Sequence, residues 1–291
     1  CSVGKSMDLS CTVRENNTSR KFGRRCAFWN LGNEASCLKQ FNMNTKELDG
    51  YLKFLSEKQT AVQESGFDVE DSDLSPQLFP FQKYCVKRAL KVGRFAMFAD
   101  CGLGKTYMQL EWAQQVVNHI KKPLLILAPL GVVGQTIKEG EKFGYKVNEI
   151  ALTAFDQDLA AGIYITNYDN MDNIDAYLFG GVVLDESSIL KNFAGKTRTA
   201  LIEDFKNTPY KLCCTATPSP NDTTELCNHA EFLNIMTRNE MLAMYFVHDG
   251  GSTSDWRLKG HAQQDFWDFV STWAVMLSKP SDIGFSYEGY I

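Results

Sequence analysis

The feature that most constrains the fold is a glycine-rich loop that follows an apolar segment, Phe95–Phe98, and precedes an amphipathic helix. The loop reads Ala99-Asp100-Cys101-Gly102-Leu103-Gly104-Lys105-Thr106. Glycines let backbone N–H groups approach phosphate oxygens, and the N-terminus of the next helix adds partial positive charge. In loops of this kind the lysine reaches the β- and γ-phosphates and the threonine hydroxyl binds Mg²⁺. We therefore predict that residues 99–106 bind ATP, with Lys105 and Thr106 in these two roles.

An acidic pair ends a second apolar segment, because Val182-Val183-Leu184 is followed directly by Asp185 and Glu186. In a parallel sheet this places both carboxylates at the carboxyl edge, beside a phosphate loop. Asp185 is expected to bind Mg²⁺ directly or through water, and Glu186 to orient and polarise the attacking water. Taken alone, such a pair is also typical of the first turn of an ordinary helix. The phosphate loop favours nucleotide hydrolysis, with Lys105, Asp185 and Glu186 as catalytic residues.

Apolar strands and amphipathic helices alternate from Pro76 onward, which predicts an α/β fold with a parallel β-sheet flanked by helices. Six strands are predicted, at residues 94–99, 124–128, 147–152, 163–166, 182–184 and 211–215. Among the helices, one is predicted at 106–120 and another at 262–276, because apolar residues recur there on one face.

Short motifs between Pro76 and Met236 resemble, in order, those of superfamily-2 helicases, and specifically those of the Swi/Snf-like branch of DNA translocases. Besides the phosphate loop they are Phe79-Pro80-Phe81-Gln82, Leu127-Ala128-Pro129-Leu130, Ile165-Thr166-Asn167-Tyr168, Asp185-Glu186-Ser187-Ser188-Ile189-Leu190-Lys191-Asn192 and Cys214-Thr215-Ala216-Thr217-Pro218-Ser219-Pro220-Asn221. The resemblance implies a RecA-like P-loop NTPase domain that uses ATP and Mg²⁺ and contacts the backbone of DNA, expected to be duplex. Ala99 replaces the first glycine of the generic phosphate-loop motif, as is common in this superfamily, whereas Ser187-Ser188 depart from the family by replacing its usual Ala-His.

The resemblance also implies roles for individual residues outside the phosphate loop. Gln82 would read the edge of the adenine base. Thr215 and Thr217 would relay the state of the nucleotide to the nucleic-acid surface. The residues expected to face the nucleic-acid backbone are Pro129, Leu130, Thr166 and Asn167.

The sequence predicts four successive regions. Residues 1–42 lack periodic patterning, and we expect them to be poorly structured and not native, with Met43 as the natural start. Residues 43–75 are expected to form a short helix and an acidic linker, and residues 76–248 the ATP-binding domain. Residues 249–291 are expected to be a helical tail that leads to a second RecA-like lobe absent from this chain. Because the resemblance places the arginine fingers in that lobe, the chain alone is expected to hydrolyse ATP weakly or not at all.

Composition excludes several other classes of protein. The net charge is −5, but residues 1–42 carry a surplus of four positive charges, so the remainder carries −9. An acidic body of this kind would need a local groove to bind nucleic acid. The longest apolar run, Leu124–Val133, is about half of the roughly 20 residues that a membrane span needs. The nine cysteines are irregularly spaced and the first residues do not have the pattern of a secretory signal, so we expect reduced thiols and a cytoplasmic location.

Two alternatives to a DNA-dependent ATPase motor remain open. One is a non-catalytic module that binds DNA or recruits partners in a nucleotide-dependent way, and the other is the motor part of a restriction or defence complex. None of the four histidines has the spacing of a metal site, so His229 and the others are assigned to surface or packing roles.

Overall fold

The computed structural model describes residues 62–150, 159–192, 195–248 and 256–286. The segment 1–42 and the helix predicted after Met43 lie outside the described residues, as do residues 151–152 at the end of the third predicted strand. The acidic linker is described in part, and its carboxylates meet the first helix: Asp71 accepts from Lys87 at 2.6 Å and Glu64 lies 3.5 Å from Lys91. These exposed pairs contribute little to stability.

The described residues form a parallel seven-stranded sheet, which confirms the predicted α/β fold. Its strands are β1 (Arg94–Ala99), β2 (Leu124–Ala128), β3 (Val147–Glu149), β4 (Ile163–Asn167), β5 (Gly181–Asp185), β6 (Tyr210–Thr215) and β9 (Ala274–Leu277). They lie in the order β3-β4-β2-β5-β6-β1-β9, and every neighbouring pair is parallel. A separate antiparallel pair consists of β7 (Phe246–His248) and β8 (Trp256–Leu258).

Helices cover both faces of this sheet. They are α1 (Pro80–Val92), α2 (Lys105–Ile120), α3 (Leu130–Phe143), α4 (Lys196–Asp204), α5 (Leu226–Phe232), α6 (Arg238–Tyr245) and α7 (Gln263–Trp273). Strand residues of alternate parity enter two separate cores, so that in β6 Leu212 packs with α1–α3 and Cys213 with α4–α7. Burial on both faces explains why the strands read as continuous apolar runs in the sequence.

The end of the predicted helix 262–276 is wrong. The helix stops at Trp273, and residues 274–277 form β9, which pairs with β1 from Ala96↔Ala274 to Ala99↔Leu277. A short apolar run does not distinguish a helix end from a buried strand by periodicity, and the open edge of β1 provided the pairing partner. The strand also reaches the phosphate loop, because the carbonyl of Leu277 accepts a hydrogen bond from the N–H of Asp100 at 3.0 Å.

A buried carboxylate, Glu111 on α2, joins three segments that precede and follow the loop. Its side chain accepts hydrogen bonds from the N–H of Ser75 at 3.1 Å, from the amide of Gln115 at 2.8 Å and from the hydroxyl of Tyr145. Hydrogen bonds to a charged acceptor are the stronger class, each stabilising by about 1.5–3 kcal/mol. The bond from Ser75 attaches the segment before α1 to the helix that follows the phosphate loop, and the bond from Tyr145 attaches the segment after α3 to the same helix.

Within the described ranges, no helix is long and apolar enough to cross a membrane. The five cysteines that these ranges contain are free thiols, four of them buried.

Candidate nucleotide site

The phosphate loop turns through two glycines with left-handed backbone conformations. Gly102 has φ +85° and Gly104 has φ +76°. At these angles the backbone of a residue with a side chain would be strained. The carboxylate of Asp100 accepts the N–H of Cys101 at 2.8 Å, and α2 begins at Lys105 immediately after the turn. A Cβ atom at Gly104 would lie only 2.4 Å from Nε2 of Gln82, so this position requires glycine for two reasons.

The ammonium of Lys105 lies over the loop. Its Nζ donates to the carbonyl of Ala99 at 2.8 Å and to that of Asp100 at 3.1 Å. The side chain is half-buried and extends toward the end of β1. This places a positive charge at the mouth of the loop, where its N–H groups and the N-terminus of α2 also attract anions.

The sheet order brings the acidic pair to the same edge as the loop. Strand β6 lies between β1 and β5, with Asp185 opposite Cys214 and Phe98 opposite Thr215. Burial raises the pKa of Asp185 above its ordinary value, while the amide of Gln109 and the positive charge of Lys105 act against that rise. Lys105 and Asp185, predicted to share a site, are therefore electrostatic neighbours.

Glu186 occupies a strained backbone conformation. It has φ +56° and ψ +56°, a left-handed conformation that costs a residue other than glycine about 1–2 kcal/mol. Its Oε1 accepts hydrogen bonds from the hydroxyls of Thr215 at 2.6 Å and Ser188 at 2.8 Å. The Thr215 hydroxyl in turn accepts the N–H of Thr217 at 3.0 Å, so a continuous chain of hydrogen bonds leads from Glu186 into the motif Cys214–Asn221, called the coupling motif below.

Gln82 contacts the phosphate loop. Its Oε1 accepts the N–H of Phe79 at 3.0 Å, and its Nε2 donates to the carbonyl of Leu103 at 3.0 Å, with only 3% of the residue exposed. Both ends of this amide are therefore bonded to the protein, and the predicted contact with adenine has to come from its second N–H. In this structure the side chain links α1 to the loop.

A cavity of about 360 Å³ opens beside the loop. Its wall includes Gly102, Gly104, Gln82 and the rings of Phe79, Tyr107 and Phe143. The Tyr107 and Phe143 rings stack with centroids 3.9 Å apart. Aromatic walls next to a phosphate loop suit the base of a nucleotide. A larger cavity of about 860 Å³ lies between α1 and the acidic linker, and neither the loop nor the acidic pair lines it.

The residues predicted to face nucleic acid differ in exposure. Leu130 is 68% exposed, and the pairing of Ala128 with Asn167 places the Pro129–Leu130 turn beside half-buried Asn167. Thr166 is only 2% exposed and its hydroxyl accepts the amide of Asn170 at 3.0 Å, so a direct contact from Thr166 is not supported. Because both faces of the sheet are covered, neighbouring residues of β4 on opposite faces, Ile165 and Thr166, are both buried.

The two threonines of the coupling motif also differ in exposure. Thr215 is buried while Thr217 is exposed, so the hydrogen bond between them joins an internal hydroxyl to a surface residue.

The site includes residues that the sequence reasoning did not identify. The hydroxyl of Tyr168 donates to the carbonyl of Asp185 at 2.8 Å, and Gln109 lies one helical turn beyond Lys105, against Asp185. His229 is fully buried, 3.2 Å from the hydroxyl of Ser187. The four-residue spacing of Lys105 and Gln109 on one helix was a usable signal. Tyr168 and His229 reach the pair only through the tertiary fold.

The protein groups fit Mg²⁺ bound together with a nucleotide. Burial raises the pKa of the Asp185 carboxylate, and Thr106 lies in the first turn of α2 at the same edge. In the described part of the chain, no three His, Cys, Asp or Glu side chains cluster to hold a metal alone. Mg²⁺ in nucleotide sites usually has one or two protein ligands, with phosphates and water completing its shell.

Comparison with known proteins identifies the family. Residues 82–244, more than half of the chain, match the SNF2-related domain family. Putative protein p41 of Acyrthosiphon pisum secondary endosymbiont phage 1 is 29% identical over 177 residues, covering 53% of this chain and 38% of that protein. The SWI/SNF-related matrix-associated actin-dependent regulator of chromatin subfamily A-like protein 1 of Xenopus tropicalis is 27% identical over 172 residues, covering 54% of this chain and 17% of that protein.

The fold agrees with this family. The Sulfolobus solfataricus SWI2/SNF2 ATPase core in complex with dsDNA has a TM-score of 0.60 at 20% identity, covering 74% of this chain and 47% of that chain. A second structure of that core domain gives a TM-score of 0.55 at 19% identity, covering 74% and 48%. This chain thus spans less than half of each of these relatives. The described domain has the RecA-like fold of a first helicase lobe, and the chain belongs to the SNF2-related domain family of Swi/Snf-like superfamily-2 proteins.

Proposed function

We propose that this chain is the ATP-binding lobe of a DNA-dependent ATPase that couples hydrolysis to movement on DNA or to its remodelling. The observation that carries the proposal is the convergence of Lys105, Asp185, Glu186 and Thr215 at one edge of the sheet, from three separate segments. Separate segments converge in this way on the phosphates of a nucleotide in P-loop enzymes.

Lys105 and the loop bind the phosphates. The two carbonyls that hold the Lys105 ammonium are neutral acceptors, and a phosphate oxygen is a stronger, charged one. The ammonium therefore exchanges these partners for the β- and γ-phosphates, which lie against the loop N–H groups. Thr106 and Asp185 would hold Mg²⁺, which neutralises charge that develops on the phosphates.

Glu186 orients the attacking water. Two hydroxyl donors fix its Oε1, which leaves Oε2 for a hydrogen bond from water. Phosphoryl transfer depends mainly on positioning and electrostatic stabilisation, so the fixed direction of this carboxylate is its main contribution. The Ser188 hydroxyl supplies one of the two anchors at the position where the family usually has histidine.

Nucleic acid would contact Pro129, Leu130 and Asn167, which lie at the ends of neighbouring strands, and exposed Thr217 at the end of β6. The relative from Sulfolobus solfataricus was solved with dsDNA, which supports duplex DNA as the partner. Contacts to the phosphate backbone would make binding sequence-tolerant and dependent on salt. A second RecA-like lobe would supply the arginine finger, which is worth about 10³–10⁵ in rate, so this chain alone is expected to turn over ATP weakly.

The test is binding of a non-hydrolysable ATP analogue with Mg²⁺, measured by calorimetry. Lys105→Ala removes charge-assisted hydrogen bonds worth about 1.5–3 kcal/mol and should weaken binding by about 10- to 100-fold or more. Lys122→Ala, an exposed lysine at the opposite edge of the sheet, is the matched control. Equal affinity in Lys105→Ala and wild type would exclude the proposed phosphate site.

A further inference from the structure

The strained residue Glu186 stands between two neighbours that are each anchored by a buried ring. On one side, the Tyr168 hydroxyl donates to the carbonyl of Asp185 at 2.8 Å. On the other side, Ser187 is fully buried and its hydroxyl lies 3.2 Å from Nε2 of His229. A residue in an unfavourable backbone conformation keeps it only when its surroundings impose it.

His229 is held in one orientation and one tautomer. Its Nδ1 lies 3.3 Å from the carbonyl of Glu225, which can only accept, so Nδ1 carries the proton and Nε2 accepts from the Ser187 hydroxyl. Complete burial lowers the pKa of His229 to about 4, so the ring is neutral at pH 7 and keeps this arrangement. The ring of Phe98 packs edge-on against it with centroids 5.1 Å apart.

Helix α5 contacts both ends of the turn that follows Glu186. His229 holds Ser187 at its start, and the amide of the adjacent Asn228 donates to the carbonyls of Leu190 at 2.9 Å and Lys191 at 3.2 Å at its end. Helix α5 is joined to the coupling motif in the chain by one short 3-10 helix, Thr223–Glu225. It is therefore placed to transmit the position of that motif to the acidic pair.

We propose that His229 is a positioning residue for hydrolysis: through Ser187 it holds Glu186 in the left-handed conformation that points its carboxylate at Thr215. This inference rests on the proposed ATPase function and adds to it a residue for which the motifs give no role. One or two neutral hydrogen bonds are comparable in strength with the strain at Glu186. Their loss lets the backbone relax and carries the carboxylate away from the attacking water.

The test compares ATP hydrolysis by variants of the full-length protein that contains this lobe. His229→Leu should lower kcat by about 10- to 100-fold, the usual effect of removing a residue that orients a functional group, with KM unchanged. Ser187→Ala should give the same loss, and the double variant should lose no more than either single one. His229→Gln keeps an amide that can bond Ser187 and should recover most of kcat.

His119→Leu is the matched control, because His119 stacks on Phe67 at the far end of α2 and should leave kcat unchanged. A wild-type kcat in Ser187→Ala, or losses that add in the double variant, would overturn the route through Ser187. A rise in KM at constant kcat would show a role in binding and overturn the proposal. Ser187→Ala removes one oxygen atom, so it remains informative if His229→Leu fails to fold.

Hydrogen exchange tests the same proposal without turnover. In Ser187→Ala and His229→Leu, amides of residues 185–191 should exchange faster than in wild type, while those of β1 should not change. If wild type neither binds nor hydrolyses ATP, the proposed function fails, and the exchange at 185–191 alone decides whether His229 positions Glu186. Unchanged exchange there would refute it.

Discussion

Replacing Lys211 with methionine should remove a pH dependence from the stability of this domain. Lys211 lies in β6 with none of its surface exposed, and its Nζ donates to the carbonyl of Phe232 at 2.7 Å and lies 4.9 Å from the centre of that ring. Burial, aided by the charge of Arg94, lowers the pKa of Lys211 from its ordinary 10.5 to about 7. The unfolded chain therefore binds one more proton than the folded chain between these two values.

The sign and the magnitude follow from proton linkage. Where the unfolded state binds more protons, the free energy of unfolding rises with pH, by up to about 1.4 kcal/mol per pH unit for one group. From pH 7 to pH 9 the Lys211 amine should therefore add about 2 kcal/mol to the stability of the wild type. As pH falls through 7 the folded amine becomes protonated and the pH dependence from this group ends.

Urea unfolding at pH 7, 8 and 9 measures the effect, followed by the fluorescence of the buried Trp112 and Trp273. Other groups titrate over this range, so the relevant quantity is the difference between wild type and Lys211→Met at each pH. Lys206 is an exposed lysine before the same strand, and the free energy of unfolding of Lys206→Met should change with pH as that of the wild type does. A difference between wild type and Lys211→Met that stays constant with pH would show that the buried amine is charged, and the reasoning would be refuted.

Three further predictions concern the nucleotide site. Thr215→Val removes a hydrogen bond to the Glu186 carboxylate worth about 1.5–3 kcal/mol and should lower kcat about 10- to 100-fold in the full-length protein, whereas Thr215→Ser should retain activity; equal kcat values would contradict this. Gly104→Ala should reduce affinity for an ATP analogue more than Gly102→Ala. Both positions have positive φ, but only at position 104 would the Cβ contact the Gln82 amide, at 2.4 Å. Calorimetry measures the two affinities, and a larger loss in Gly102→Ala would contradict the argument from this contact. Glu186→Gln should preserve binding of ATP and stop hydrolysis in the full-length protein, and unaltered turnover would remove Glu186 from the water-positioning role.

The sequence was most informative where a local pattern has a local cause. The phosphate loop required glycines at 102 and 104 whatever the rest of the chain did, and apolar runs ending at Ala99 and Asp185 predicted strands of a parallel sheet. The strand Ala274–Leu277 could not be separated from the helix before it, because its partner β1 lies about 180 residues earlier in the chain. Pairing over that distance leaves no periodic signal in a short apolar run.

Individual side chains were harder to predict than the elements that carry them. The contact of Gln82 with the adenine edge stays a prediction, but the motif did not indicate that the capping geometry of α1 directs this amide to Phe79 and Leu103. Thr166 was expected to face nucleic acid, yet it is buried, because helices cover both faces of the sheet and the amide of Asn170 lies against its hydroxyl. His229 had no signal at all, because its contacts depend on how α5 packs against the turn after Glu186. Such outcomes depend on tertiary packing, which motif spacing does not encode.

The conformation of Glu186 also has an evolutionary consequence under the proposed ATPase function. Glycine and asparagine adopt left-handed backbone with less strain than glutamate, so a lineage freed from the need for a carboxylate would gain stability by accepting one of them at position 186. Glutamate at this position therefore lowers the stability of the fold, and the proposed catalytic role of its carboxylate accounts for its presence there. Among the close homologues of this chain, substitution at this one backbone position should be the earliest mark of lost catalysis, ahead of any change in the phosphate loop.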